Sequence, residues 1–153
     1  MVLELPGDIK DQVGTGHLFL ELVQDLREED LWKEEIMLFT RHTNKRNWTE
    51  AEAECQREKG HLVSVSSEVE NEIVYKVAGR DAWLGARNVS GRWRWSDNSS
   101  WVYNNWDKPG RQPVNGYGNC VRNQLGMTWK NDRCRIKLNF ACEVGHTLSL
   151  IHI

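Results

Sequence analysis

The chain has 153 residues, which fits one domain with a modest core, and a formal net charge of −2, which excludes a nucleic-acid binder held by bulk electrostatics. No stretch approaches the roughly 18 apolar residues of a membrane span, and the opening MVLELPGDIK has neither the basic nor the continuous apolar region of a signal peptide. The charge is unevenly spread: residues 1–35 carry ten acidic against three basic side chains, a net of −7, while residues 106–137 carry seven basic against two acidic, a net of +5. The plain reading of both segments is a solvated face.

Residues 1–35 differ from the remainder. Leu18, Leu22 and Leu26 recur at helical spacing among acids as far as Trp32, and no cysteine is present, so this segment reads as a linker with a helix in it. IMLFT (36–40) is a short apolar run and a predicted strand. In NWTEAEAECQREKG, Asn47 caps a helix, Glu50 completes a capping box and Gly60 stops it; Trp48, Ala51 and Cys55 share its inward face. HLVSV is a strand. SSEVENEIVYKVA is a second helix, capped by Ser67 with Glu70 three positions on and with Val69, Ile73 and Val77 as its buried stripe. DAWLGARN reads as a strand ending in a turn, and GRWRWSDNSSWVYNNW alternates like an antiparallel strand before it loosens. Residues 104–118 carry little secondary-structure signal, and a loop of that length is usually functional or disordered. CVRNQLGMTWKNDRC is a hairpin turning near Leu125-Gly126, and NFACE is the last strand. The order is that of an α+β domain.

The four cysteines, Cys55, Cys120, Cys134 and Cys142, form no CxxC pair, which argues against a zinc ribbon or redox motif. They read as two disulfides with three connectivities open, and so as a sign of an oxidising compartment. Asn47-Trp48-Thr49, Asn88-Val89-Ser90 and Asn98-Ser99-Ser100 match the N-glycosylation acceptor pattern, the last two in turn-like stretches. The histidines at 17, 42, 61, 146 and 152 are scattered, and no HExxH, GxSxG or P-loop pattern occurs, so no enzyme is expected.

Taken together, NWTEAEAEC, HLVSVSS, AWLGA, GRWRWSDNSSWVYNNW, QPVNGYGNCV, WKNDRC and NFACE resemble a C-type lectin-like domain over residues 36–144. The resemblance implies the short, two-disulfide form of that fold: two helices packed on small antiparallel sheets, with a long irregular loop. It pairs Cys55 with Cys142 and Cys120 with Cys134, bonds that the chain-entropy account values at roughly 4–5 and about 3 kcal/mol. Residues 145–153 lie beyond the family's natural end. This tail resembles a sequencing-adapter read-through, and with the acidic start it points to a fragment of a longer, secreted or membrane-anchored extracellular protein.

In the family the long loop often builds a calcium site that also holds sugar, with a signature of Glu-Pro-Asn or Gln-Pro-Asp, a Glu near the following cysteine, and Asn-Asp after a Trp. Here Gln112 and Pro113 match, but Val114 replaces the amide or acid, Gly118 the second acid, Lys130 the Asn and Asn131 the Asp. A hard cation wants roughly six to eight oxygens, and only Gln112 and Asn131 keep one, so no metal or other cofactor is expected. At the family's second calcium site Asn88 and Ser90 stand near positions that call for acids; Asp132 is the nearest carboxylate, and only a bulge would bring Asn131-Asp132 into ligating positions. The expected function is an extracellular recognition module that binds a protein or anionic ligand without calcium; the alternative is a calcium-dependent carbohydrate-binding lectin. Candidate contact residues are Gln112, Asn115, Tyr117, Lys130, Asn131 and Trp106, with a basic surface from Lys108, Arg111, Arg122, Lys130, Arg133, Arg135 and Lys137. Trp48, Trp83, Trp93, Trp95 and Trp129 match family core positions. Without calcium, the bond before Pro113 is expected to be trans or mixed.

Overall fold

The computed structural model describes residues 17–24 and 34–147. Ten elements follow one another: β1 (His17–Gln24), β2 (Glu34–Arg46), α1 (Trp48–Arg57), β3 (His61–Leu62), α2 (Glu68–Ala78), β4 (Ala82–Val89), β5 (Arg92–Trp95), β6 (Cys120–Asn123), β7 (Trp129–Asp132) and β8 (Leu138–Thr147). The strands form one sheet in the order β1-β2-β8-β4-β6-β7, with β3 paired to β8 and β5 to β4. Every pairing is antiparallel except β4 with β8, where Ala82 faces Asn139 and Trp83 faces Phe140. That junction brings the two halves of the chain together, with α1 and α2 connecting β2 to β4.

The helix starts are those the sequence encodes, but α1 stops earlier than expected: it ends at Arg57 with Glu58 as its cap, and Lys59 (φ 70°) takes the left-handed turn expected of Gly60, whose lack of a side chain instead admits the Glu143 backbone. Asn47 accepts from Glu50 N–H (2.9 Å) while the Glu50 carboxylate accepts from Asn47 N–H (3.3 Å), a complete capping box. Ser67 accepts from Glu70 N–H (3.1 Å). Trp48, Ala51 and Cys55 are buried on α1 as expected. The buried face of α2 is rotated from the predicted one: Val69 is 67% exposed and Asn71 is buried with Val74, Val77 and Ala78. Asn71 is drawn inward by polar partners, since its Oδ1 accepts from Trp129 Nε1 (2.9 Å) and its Nδ2 donates to Met127 O (3.1 Å). Apolar periodicity cannot see such a bond.

Two cores result. One gathers Phe39, Val63, Val65, Val74, Leu84, Trp95, Val121 and Trp129; the other gathers Trp48, Leu62, Trp83 and Phe140 around Cys55 and Cys142. The buried indoles have partners: Trp48 Nε1 donates to Leu84 O (2.9 Å) and Trp83 Nε1 to Arg46 O (3.0 Å), as buried Trp N–H groups require. Both disulfides are formed as the resemblance implied, each with a Cα–Cα distance of 5.2 Å.

The helix expected from Leu18 to Trp32 is replaced by strand over His17–Gln24, which pairs residue for residue with Glu34–Arg41. The sequence is ambiguous there: Leu18 and Leu22 fit a helical repeat, but Leu18, Leu20 and Leu22 fit a strand equally, and pairing with β2 decides. Residues 25–33 lie outside the described residues. At the other end β8 continues to Thr147, three residues past the expected boundary at 144. Of HLVSV only His61–Leu62 is regular strand, and of GRWRWSDNSSWVYNNW only Arg92–Trp95. Among the described residues no helix is long and apolar enough to cross a membrane.

Candidate functional site

Between β5 and β6 the chain makes one isolated bridge, from Trp106 to Trp129, and otherwise depends on specific ties. Trp129 N–H donates to Asn105 O (2.8 Å), Asp107 N–H to Trp129 O (2.9 Å) and Gln112 N–H to Asp107 O (3.0 Å). Further out, a single side chain takes over. Asn131, on β7 and 1% exposed, donates through Nδ2 to Val114 O (2.8 Å) and Gly118 O (2.8 Å) and accepts at Oδ1 from Val114 N–H (2.8 Å). Its own N–H donates to Gln112 Oε1 (3.2 Å). Three of the four hydrogen bonds open to an asparagine side chain are thus made to loop backbone.

The Gln112–Pro113 bond is cis, contrary to the expectation of trans or mixed. Asn131 holds both flanking residues, Gln112 through its side chain and Val114 through its backbone, so the loop is fixed on each side of the proline by neutral groups.

A cleft of about 330 Å³ lies between this loop and the β4–β5 turn, lined by Asn88, Gly91, Trp93, Pro113, Val114, Asn115, Gly116, Gly118, Asn119 and Asn131. Of the predicted contact residues it brings together Asn115 and Asn131. Gln112 stands behind the loop as a partner of Asn131. Tyr117 is exposed with the Arg133 guanidinium 5.4 Å from its ring centre, but it does not line the cleft. Trp106 packs against Trp93 (5.2 Å between ring centres) and Trp129 (6.0 Å) instead of facing a ligand. Trp93, expected in the core, is half-buried and forms part of the cleft wall. Its neighbours alternate as exposed Arg92 and Arg94, a signal that one face of that strand meets solvent.

Lys130 is next to Asn131 on the strand, and its side chain leaves by the opposite face, opposite Arg122. Arg122 drops out of the expected basic surface: it is 14% exposed and donates to Asp81 (2.8 Å) and Asp132 (3.1 Å). Burial works to raise the Asp81 carboxyl, but the Arg80 and Arg122 side chains together outweigh it and hold it below its usual range. Asp132 is therefore engaged, and β7 pairs in regular register through it with no bulge. Lys108, Arg111, Arg133, Arg135 and Lys137 are exposed.

A second polar cluster sits away from the loop. Glu143, 8% exposed, accepts at Oε1 from Ser64 N–H (3.0 Å) and is 2.8 Å from Ser64 Oγ, which donates to Asp97 (2.6 Å). Burial pushes the Glu143 carboxyl up to about 8, further raised by the negative charge of Asp97 and Glu70 and opposed by the Ser64 bonds. The Asp97 carboxyl is held below its ordinary value: burial works against it, but hydrogen bonds from Ser64, Ser99 and Glu143 outweigh that. One acid is neutral and the other charged, a stable arrangement for two close carboxyls. Elsewhere His42, Glu58 and Cys142 approach as metal ligands would, but Cys142 is in a disulfide. His42 instead bonds Glu58 (2.8 Å) and stacks on Phe140.

The pattern of the Lectin C-type domain matches residues 44–144. The chain belongs to the C-type lectin domain family. It is 32% identical over 113 residues to the galactose-specific lectin nattectin of Thalassophryne nattereri, covering 68% of this chain and 71% of that one. It is 33% identical to asialoglycoprotein receptor 1 of Mus musculus over 108 residues, but spans only 37% of the receptor's length. Among solved structures, the carbohydrate-recognition domain of cow CD23, determined in the presence of an oligosaccharide, superposes with a TM-score of 0.64 at 29% identity, over 71% of this chain and 87% of that one. Human lithostathine gives 0.65 at 25% identity over 72% and 92%. A calcium-independent type II antifreeze protein, at 23% identity and a TM-score of 0.64, shows the fold alone.

Against the calcium-binding pattern of C-type lectin domains, the donor set of this loop does not fit the ion. The Asn131 side chain, where an acid belongs, is committed to backbone. At Gly118 even a Cβ would fall 2.2 Å from the Asp132 carbonyl carbon, so no acid fits there without backbone movement. Val114 offers no side-chain oxygen and is 41% exposed. A cation that needs anionic oxygens finds amides already paired.

Proposed function

We propose that this C-type lectin domain is an extracellular recognition module, without catalytic activity, that engages a protein or anionic ligand at its long-loop face and does so without calcium. The observation that carries the reading is the Asn131 side chain, which organises the loop from within by bonding Val114 and Gly118. Calcium is not needed to shape a loop already ordered by its own amide. The two disulfides support an oxidising, extracellular setting. Exposed Val114 and Tyr117, with the Arg133 guanidinium over the Tyr117 ring, offer the mixture of apolar, aromatic and cationic groups that protein interfaces favour.

The relatives that are named for galactose and asialoglycoprotein favour the second reading, calcium-dependent sugar binding. A melting curve with and without millimolar calcium separates the two, because a ligand that binds only the folded state raises the midpoint. An unchanged midpoint, and glycan-array binding that survives a chelator, support the calcium-free reading. A raised midpoint with chelator-sensitive sugar binding replaces it by the second.

A further inference from the structure

The β4–β5 hairpin carries an unusual charge arrangement on its arginine-bearing face. Arg87 on β4 and Arg94 on β5 are direct cross-strand partners, and Arg92 lies two residues from Arg94 on the same face. All three are exposed. Like charges directly opposite one another on a sheet destabilise it, and an internal carboxylate would normally relieve them. Among the described residues the arginine–carboxylate pairs involve Arg80 and Arg122 alone. The recorded neighbour of Arg87 is an indole: its guanidinium lies 5.3 Å from the centre of the Trp48 ring. Trp48 N–H in turn donates to Cys134 O (3.0 Å), which places exposed Arg133 and Arg135 on the segment beside that indole.

Next to this ridge a groove of about 270 Å³ follows β5, lined by Arg92, Trp93, Arg94, Asn98, Ser99 and Trp101 among others. β5 pairs with β4 and with no other described strand, so the groove runs along its open edge. Guanidinium groups and indole rings meet there with hydroxyl and amide groups. Guanidinium binds sulfate or carboxylate through paired hydrogen bonds; indole faces take the C–H face of a sugar ring; amides and hydroxyls suit its hydroxyls. The arginines are spaced about 5 Å across the strands and roughly 7 Å along β5, a repeat that a linear chain with closely spaced anionic groups can follow.

We propose that the Arg87–Arg92–Arg94 face with the β5 groove binds a sulfated polysaccharide. This goes beyond the reading of the long loop and rests on the arginine face of the hairpin; Trp93 alone lines both hollows. An acidic protein would satisfy the arginines but would leave the indole-lined groove without a purpose, which is why the saccharide is favoured.

The test uses the full, oxidised chain on immobilised heparin and, in parallel, on immobilised polyglutamate at matched ionic strength. Wild type is expected to bind heparin more tightly than polyglutamate. The Arg92→Ala/Arg94→Ala variant, which leaves Arg87 on Trp48, is expected to bind heparin about tenfold more weakly, and the slope of log affinity against log salt to fall by roughly two, one per lost ionic contact. Arg57→Ala/Lys76→Ala, at exposed positions on α1 and α2, is expected to match wild type. Equal heparin binding by the Arg92/Arg94 variant, with its melting midpoint intact, overturns the proposal, as does polyglutamate retention equal to that on heparin. If the double variant melts early, Arg92→Gln alone reads the same salt slope, and an unchanged slope overturns the proposal as well.

Discussion

Two regions of this domain solve the same problem with opposite chemistry. The long loop and the Ser64–Asp97–Glu143 cluster both gather many polar atoms into little space. In the outer part of the loop, from Gln112 to Gly118, the groups that tie it to β7 are neutral: the Asn131 amide, the Gln112 amide and backbone; the one carboxylate, Asp107, holds Gly110 N–H and the Gln124 amide at the loop's base. In the cluster the groups are carboxyls, and their proximity is tolerable because Glu143 holds a proton that Asp97 lacks. The loop should therefore be indifferent to cations and to pH near neutrality, and the cluster should not. Charge placed in the first region and charge removed from the second are the ways to break this contrast.

The largest effect is expected from Gly118→Glu, which returns an acid to the position where the calcium-binding pattern has one. The new Cβ meets Asp132 backbone at 2.2 Å and 2.3 Å, and backbone cannot turn aside as a flexible side chain can. Loss of about 3–5 kcal/mol is expected in denaturant unfolding, with no gain in calcium affinity. A stable variant that binds calcium would show that the loop moves freely. Asn131→Asp comes next. It keeps an acceptor for Val114 N–H but points a carboxylate oxygen at Val114 O and Gly118 O and buries a charge; roughly 3 kcal/mol of destabilisation at neutral pH is expected, diminishing as acid protonates the new carboxyl. Stability equal to wild type, with or without calcium, would refute the neutral clamp.

Glu143→Gln probes the second region. In wild type the folded carboxyl titrates near 8 and the unfolded one near 4.5. Below 4.5 both states hold the proton; as pH rises from there the unfolded state loses it first, so stability falls until about 8 and then levels off. Asp97 has the opposite sign and a lower window, because its lowered value lends stability that is lost only as pH drops below about 3.8. The glutamine variant removes the first slope and is expected to exceed wild type by roughly 2 kcal/mol at pH 8. Stability curves that run parallel from pH 5 to 8 would place the proton elsewhere.

Much of the fold was legible because its signals are local. The two caps, the inward face of α1, the β6–β7 hairpin and the cysteines each appear in a few consecutive residues. The misses involve partners distant in sequence: β1 is a strand through β2, Asn71 is buried through Trp129 and Met127, and Trp93 reaches the cleft because β5 has an open edge. At the site the sequence showed which positions depart from the calcium-binding pattern. It could not tell that the Asn131 amide is bonded to loop backbone, because an asparagine that ligates and one that clamps backbone have the same letter.

The smallest effect belongs to Val114. This residue looks like the site's most conspicuous defect, an apolar side chain where the pattern calls for an amide or acid. Yet its side chain is 41% exposed and its structural task is done by its backbone N–H and C=O, both paired with Asn131. Val114→Asn leaves those two bonds untouched and places a polar group at the mouth of a polar cleft. Stability is therefore expected to change by less than about 0.5 kcal/mol, and calcium is expected to leave the variant's melting midpoint where it was. The added oxygen gains nothing because Asn131 is still turned toward backbone and Gly118 still has no room for a side chain. A calcium-dependent rise in the midpoint of this single variant would mean that the Asn131 clamp opens readily, and the loop would then be a latent metal site instead of a replaced one.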